Sequence, residues 1–174
     1  MNAPGKPHIA PVTPETLAVL DQRLGHPAIP DMHQQRFAVQ RAGEGLYLAA
    51  WRGGEPVGYV LLHFKHPHHH ASYAHYPDAA YVEALDVPAE HRRQGIAIAL
   101  MEEAERLARS HGADLVGLSV GTGNAPARAL YQKLGYRPSD IPDYYVSWTY
   151  LDPQTGEPME EGEMCGFWVK GLVS

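Results

Sequence analysis

The alternation of apolar and polar positions gives the first outline of the chain. HIAPV, at 8–12, is a short strand signal. TPETLAVLDQRLG follows with a helix period; Thr13 is placed as N-cap, Pro14 suits the first turn, and Gly25 can terminate it. A weaker signal, helix or loop, covers Pro30 to Arg41. GLYLAAWRGGEPVGYVLLHFK sets two strand-like runs on either side of Gly53-Gly54, a pair that tolerates positive φ, and so predicts a β-hairpin. AAYVEALDV, at 79–87, predicts a further strand that stops at Pro88.

The period then changes. RRQGIAIALMEEAERLARSHG repeats Ala97, Leu100, Met101, Ala104, Leu107 and Ala108 along one face, which predicts an amphipathic helix. Glu102–Arg106 and Glu105–Arg109 are expected as i, i+4 pairs in the favourable order, and Gly112 as its terminating glycine. ADLVGLSV predicts a strand and NAPARALYQKLGY a second helix, capped by Asn124 and ended by Gly135. Two last strands, YYVSWTYL and MCGFWVKGL, flank DPQTGEPMEEGE, which is rich in turn residues. The order β-α-(α)-β-β-β-α-β-α-β-β predicts a mixed α/β sheet with helices packed on it. With no repeat and no linker, residues 1–174 read as a single domain, 1–7 being expected to be flexible.

Composition narrows the partners more than the fold. Of 174 residues, 44% are hydrophobic and 20% charged, as in globular proteins, and no apolar run approaches the length of a membrane span. The net charge of −6 argues against nucleic acid or an anionic membrane as the main partner, though a local basic site can still hold a small anion. The lone Cys165 excludes an internal disulfide and, with a proline-rich N-terminus lacking a signal-type apolar core, leads us to expect a cytoplasmic protein.

One turn stands against the acidic background. HRRQGIA, at 91–97, puts two arginines and a glutamine ahead of Gly95 at the start of the long helix. The first turn of a helix offers unpaired N–H groups and the positive end of the macrodipole, Gly95 lets an anion approach, and the arginines add charged donors. No G-x-G-x-x-G or Walker loop is present; GTGNAP, at 121–126, lacks the third glycine and comes late in the chain. Taken alone, the turn reads better as a helix start with solvated arginines. Its context changes that. Arg92-x-x-Gly95-x-Ala97 resembles the (Gln/Arg)-x-x-Gly-x-(Gly/Ala) signature of the GNAT superfamily of N-acetyltransferases. It follows YVEALDV, and NAPARALYQKLGY resembles the family's later Asn…Ala…Leu-Tyr…Leu-Gly helix. The likeness runs from about Gly45 to Lys170.

The resemblance implies a GNAT-type fold, with a central, mostly antiparallel sheet of about seven strands flanked by about four helices. It implies acetyl-CoA as co-substrate and direct transfer of the acetyl group to a primary amine of a small molecule or peptide, with no metal required. The pyrophosphate would lie on Arg92, Arg93, Gln94, Gly95, Ile96 and Ala97, and the pantetheine arm on Leu85, Asp86 and Val87, in a slot opened by splayed strands. Asn124 would stand near that arm and Tyr131 near the sulfur. The chemistry asks for such groups. A lysine-like amine of pKa about 10.4 is almost wholly protonated at pH 7 and must lose a proton, and the departing thiolate must gain one. Tyr131 is the expected general acid and Glu83 the expected base, a solvent-facing strand residue being the equal alternative; Asp86 is disfavoured by the strand alternation. Without the motif, Tyr131 would read as a core aromatic beside Ala127 and Leu134.

Other features stay secondary. Cys165 reads as a small buried residue rather than a nucleophile. HFKHPHHHASYAH holds six of the eleven histidines but lacks zinc-type spacing, so it reads as an exposed connection with incidental metal affinity. The resemblance puts it beside the acceptor, which leaves contact with substrate open. Glu157, Glu160, Glu161 and Glu163 read as a solvated hairpin tip, or more weakly as a lure for a cationic amine. Trp148 and Tyr150 read as acceptor-pocket or sheet-core residues. A non-catalytic acyl-CoA-binding module on the same fold is the rival, and a metal-binding protein a third; a homodimer stays open.

Overall fold

The computed structural model describes residues 4–68 and 70–172. Among the described residues, eight strands form one sheet in the order β1-β2-β3-β4-β5-β8-β6, with β7 paired to β8. The strands are β1 (His8–Pro11), β2 (Gly45–Arg52), β3 (Glu55–His63), β4 (Ala80–Asp86), β5 (Leu115–Gly121), β6 (Arg137–Pro138), β7 (Tyr144–Leu151) and β8 (Pro158–Gly171). All pairings are antiparallel except β4 with β5. The helices are α1 (Pro14–Leu24), α2 (Met32–Arg41), α3 (Ile96–Ser110) and α4 (Ala125–Lys133). The mixed fold is therefore the expected one, with a short extra strand at β6.

Alternation along β2 and β3 divides the core. Leu48, Ala50, Val60 and Leu62 meet α3 on one face, whereas Tyr47, Ala49, Tyr59 and Leu61 meet α1 and α2 on the other. β3 is covered on both sides, which is why VLL is continuously apolar. Local signals hold where they are strong. Thr13 caps α1 in a capping box with Thr16, Asn124 caps α4, and Gly112 and Gly135 turn at positive φ just past their helices. The weak signal at Pro30–Arg41 resolves into α2.

The i, i+4 pairs expected on α3 do not form. Arg106 instead donates to Glu103, at 2.6 and 2.9 Å. Glu105 is buried, taking hydrogen bonds from Lys170 Nζ (2.6 Å) and Tyr136 Oη (2.9 Å), and Arg109 donates to the Leu172 carbonyl. These contacts tie α3 to the end of β8, a partner that helix spacing cannot reveal. α3 also begins at Ile96, later than the expected start at Arg92. Of segment 1–7, residues 1–3 lie outside the described residues, and the Gly5 carbonyl accepts a hydrogen bond from Arg52. Among the described residues, no helix is long and apolar enough to cross a membrane.

The tail differs most. Glu160, Glu161 and Glu163 do not form a hairpin tip: they belong to β8, opposite Thr149, Trp148 and Val146, and only Glu157 sits in the turn. Trp148 is 42% exposed, so it is not sheet core, and Tyr150 donates to Glu161.

Candidate active site

Two parallel strands that part create the site. β4 and β5 pair only at Ala80–Val116, Tyr81–Gly117 and Val82–Leu118. Beyond that rung, Glu83–Asp86 keeps its partner β3, and Ser119–Gly121 keeps β8. A bulge in β4 accompanies the parting. Tyr59 pairs Asp86 and Leu61 pairs Glu83, so Ala84 and Leu85 together face Val60, and Ala84 takes φ 58°. The extra residue leaves Leu85 packed toward the α3 face and Ala84 toward the α1–α2 face. Backbone groups of β4 beyond Val82 are thereby left without a β5 partner.

On the α3 face the gap opens into a cleft of about 530 Å³. Its walls are the end of β4, the loop into α3 and one side of α4. Of the residues singled out above, Leu85, Asp86, Val87, Arg92, Arg93, Gly95, Ile96, Ala97, Asn124 and Tyr131 all line it. Gln94 does not: its side chain turns outward to Arg52 and to the Glu90 carbonyl. Glu83 is also absent from the lining. His91, Ile98 and Leu130 line the cleft as well. His91 was passed over because its place depends on the turn at Ala89–His91.

The loop is built for its exposed N–H groups. Gly95 is the N-cap of α3 at φ 78°, Arg93 stands at φ 61°, and no side chain caps the helix. The first-turn donors of α3 therefore have no side-chain partner and point out of the helix beside the cleft. Arg92 Nε donates to the Val87 carbonyl at 2.8 Å, pinning the loop to the end of β4. One nitrogen of this guanidinium is thus committed to holding the loop, while the residue also lines the cleft. Asn124 likewise accepts from Ala127 N–H at 3.2 Å as the cap of α4, which brings α4 to the cleft wall. Tyr131 packs edge-on against Tyr136, and its hydroxyl has no hydrogen-bond partner among the described residues. Burial pushes that phenol up to about 12, so it is a donor at neutral pH.

The opposite face of the same gap is polar. Glu83 leaves β4 on the side away from Val82; its side chain is 44% accessible and accepts from His63 Nε2 at 3.0 Å. Crowding pushes its carboxyl up, but the His63 hydrogen bond and the charges of His63, Arg36 and His70 outweigh this and leave it lowered. Asp86 accepts from the Tyr59 hydroxyl at 3.2 Å. Cys165 is buried, and desolvation followed by Glu163 and Asp143 lifts its thiol to about 11. It is protonated at neutral pH, as its reading as a packed residue requires.

The histidine segment is not the exposed connection expected from its composition. His63, His66 and Ser72 are buried. His66 stacks on Tyr81 and Phe167, and Phe167 fits against Gly117, where a Cβ would stand 2.2 Å from the ring. His69 lies outside the described residues. Among the described residues no cluster of three His, Cys, Asp or Glu is arranged to hold a metal. His63 meets the Glu83 carboxylate, His66 Nε2 meets Ser72 Oγ, and His70 reaches the Tyr81 and Ser119 hydroxyls on the sheet, matches that composition cannot show.

This geometry agrees with what known proteins share with the chain. The model of the acetyltransferase (GNAT) family matches residues 15–136. The aminoalkylphosphonate N-acetyltransferase of Salmonella typhimurium is 34% identical over 93 residues, 53% of this chain and 57% of that one. Across three of the curated relatives it matches, the chain spans 29% to 57% of their length. The ribosomal-protein-S18-alanine N-acetyltransferase of Escherichia coli shares the fold at 19% identity and TM-score 0.64, covering 97% of this chain and 95% of that one. The yncA protein of Salmonella typhimurium, solved with its cofactor acetyl-CoA, shares it at 15% identity and TM-score 0.66, covering 98% and 96%. The family match covers well over half of the sequence, from α1 to the end of α4, including both motifs and the whole cleft: the chain belongs to the GNAT acetyltransferase family.

Proposed function

We propose that this protein transfers the acetyl group of acetyl-CoA directly to a primary amine. One observation carries the reading. The gap between β4 and β5 opens on one face into a cleft with free helix N–H groups and the Tyr131 hydroxyl, and on the other onto Glu83. A thioester threaded through the gap would meet donor and acceptor from opposite sides. The pyrophosphate would sit on the N–H groups between Arg93 and Ala97, with Arg92 holding the loop. The pantetheine arm would extend the sheet along Leu85–Val87, where β4 lacks a neighbour, and Asn124 and Ala127 would close over it.

Glu83 attracts the acceptor's ammonium to the mouth of the gap, and transfer of one of its protons to a basic side chain on this polar face frees the nitrogen lone pair to attack the carbonyl. The collapsing intermediate expels the thiolate toward Tyr131, whose O–H donates to it. No acyl-enzyme is needed, and a thiol held near 11 supports none at Cys165.

The acceptor class follows from a direct screen. Acetyl-CoA is offered with 2-aminoethylphosphonate, spermidine and a peptide bearing a free N-terminal alanine; free thiol is measured and the product weighed by mass spectrometry. Thiol release matched by an acetylated amine supports the reading. Thiol release without an acetylated amine, or no release with any of the three, counts against it.

A further inference from the structure

On the amine side of the gap, Ser119 is the first residue of β5 beyond the last rung shared with β4, level with Glu83 across the gap. It extends to the same face as Tyr81 and is only half-buried. Its hydroxyl is surrounded. His70 Nε2 lies at 3.1 Å, the Tyr81 hydroxyl at 2.9 Å and the Tyr144 hydroxyl at 2.6 Å. Behind His70 the contacts continue inward: Nδ1 to Ser72 Oγ at 2.6 Å, and Ser72 Oγ to His66 Nε2 at 2.6 Å. A half-buried serine at the reacting gap is thus backed by an imidazole, a buried hydroxyl and a second imidazole. We propose that Ser119 and the histidine loop form the route by which the acceptor ammonium loses its proton, with His70 as the proton acceptor and Glu83 as the anchor for the ammonium.

The inference rests on the acetyl-transfer reading above and deepens it. The steps balance as follows. The ammonium N–H bond breaks and its proton passes to Ser119 Oγ, while the Ser119 O–H proton moves to His70 Nε2. His70 becomes an imidazolium whose Nδ1–H is held by Ser72 Oγ, and the Ser72 hydroxyl donates to His66 Nε2. The freed amine attacks the thioester, and the C–S bond breaks as the Tyr131 O–H donates a hydrogen bond to the sulfur; the second nitrogen proton, lost from the nascent amide, is taken by the thiolate, which leaves as the thiol, and His70 returns its proton to solvent after product leaves. The backbone N–H of Ser72 also approaches Nδ1, at 3.4 Å, a marginal contact beside the 2.6 Å hydroxyl one.

Proton affinity favours this division. A base works best when its pKa lies near the working pH, and imidazole is the side-chain type that meets this condition. The Glu83 carboxyl is held on the acidic side of its ordinary value, which suits holding a cation rather than deprotonating it. Among the described residues, His70 is faced by His66 and Ser72 from its own segment, Tyr81 and Glu83 from β4, Ser119 from β5, Tyr144 from β7 and Phe167 from β8. Cys165 and Asp143 lie just beyond Tyr144. Of these, the Glu83 carboxylate is the group that would stabilise a cationic His70. The burial of Ser72 and His66 also gives these polar residues a purpose that packing alone does not.

Two measurements test the route. Imidazole nitrogen shifts, followed by ¹⁵N NMR between pH 5 and 9, are expected to show His70 titrating, with its midpoint displaced in Ser119→Ala. The pH profile of kcat, taken with acetyl-CoA and the three amines above, is expected to show an acid limb near an imidazole pKa in the wild type. His70→Gln and Ser119→Ala should lower kcat about 10²-fold and lose that limb, with KM for acetyl-CoA unchanged, and Ser119→Thr should restore most of the rate. The inference is overturned by a His70 that keeps one protonation state throughout, or by His70→Gln with the wild-type rate and limb. It is also overturned by Zn²⁺ moving the His66 and His70 resonances while inhibiting turnover, which would mark the loop as a metal site. A wild type that acetylates none of the amines removes the acetyl-transfer reading and this inference together, whereas turnover with an indifferent His70→Gln removes only the latter.

Discussion

Replacing Tyr131 with phenylalanine removes a single oxygen from the cleft wall and leaves its packing on Tyr136 intact. The hydroxyl has no partner among the described residues, so its loss strands no donor or acceptor, and stability should change by less than about 0.5 kcal/mol. The catalytic effect is set by proton affinities. A phenol near 12 facing a thiolate of alkyl-thiol type, pKa about 8.5, would give up its proton against a gap of about 3.5 pH units, roughly 5 kcal/mol. Complete transfer ahead of C–S cleavage is therefore disfavoured, and the O–H acts by donating to the sulfur as charge develops on it. A hydrogen bond to a charged group contributes about 1.5–3 kcal/mol, so kcat should fall roughly 10- to 150-fold. Free-thiol release at saturating acetyl-CoA reads kcat, and calorimetry reads the affinity, which should stay within about twofold. The same phenol predicts no alkaline limb in kcat attributable to Tyr131 below about pH 10. Wild-type kcat in Tyr131→Phe, or a rate loss matched by an equal loss of acetyl-CoA affinity, would refute the reasoning.

Three further outcomes are expected. Glu83→Gln should raise KM for a cationic amine more than it lowers kcat, with acetyl-CoA affinity unchanged, in steady-state kinetics; equal affinity for the amine would remove Glu83 as anchor. Among the described residues, Lys170→Met leaves the buried Glu105 carboxylate with only the Tyr136 hydroxyl, and because Lys170 is partly exposed the cost should be about 2 kcal/mol, a fall of about 4–8 °C in Tm by calorimetry. His33 is lowered first by burial and then by Arg36, with the Leu24 carbonyl opposing, so the native state favours the neutral ring. Below about pH 6.5 the unfolded state binds the extra proton, and stability should fall there by up to 1.4 kcal/mol per pH unit; urea unfolding at pH 5.5 and 7.5 shows the slope, which His33→Phe should reduce.

The sequence carried the site better where the chemistry is local. Arg92-x-x-Gly95-x-Ala97 and the α4 motif place ten of their eleven associated residues on one cleft, because a turn and two helix caps are short-range structures. Gln94 escaped for a tertiary reason, the side chain of Arg52 reaching it from β2. Glu105 looked like a surface partner for Arg109 because helix spacing shows only neighbours on the helix, while its real partner lies on β8. The bulge at Ala84 leaves no mark in the alternation of YVEALDV, yet it sets which side chains face which side of the gap. The histidine segment departs most from what its composition suggests. Its polarity suggested exposure, whereas Tyr81, Ser119 and Phe167 supply the partners that let it fold inward.

The central claim, that the cleft between β4 and α4 receives acetyl-CoA on the N–H groups at the start of α3, is tested most directly by calorimetric titration of the wild type and Gly95→Asp with acetyl-CoA. Gly95 stands at φ 78° with open space around its Cβ position, so the substitution costs about 1 kcal/mol of backbone strain and sets a carboxylate where the pyrophosphate would lie. Gly95→Ala carries the strain without the charge. The expected result is one acetyl-CoA bound per wild-type chain, binding retained within about tenfold by Gly95→Ala, and none detectable with folded Gly95→Asp. Absence of wild-type binding at millimolar acetyl-CoA, or equal affinity in Gly95→Asp, would contradict it.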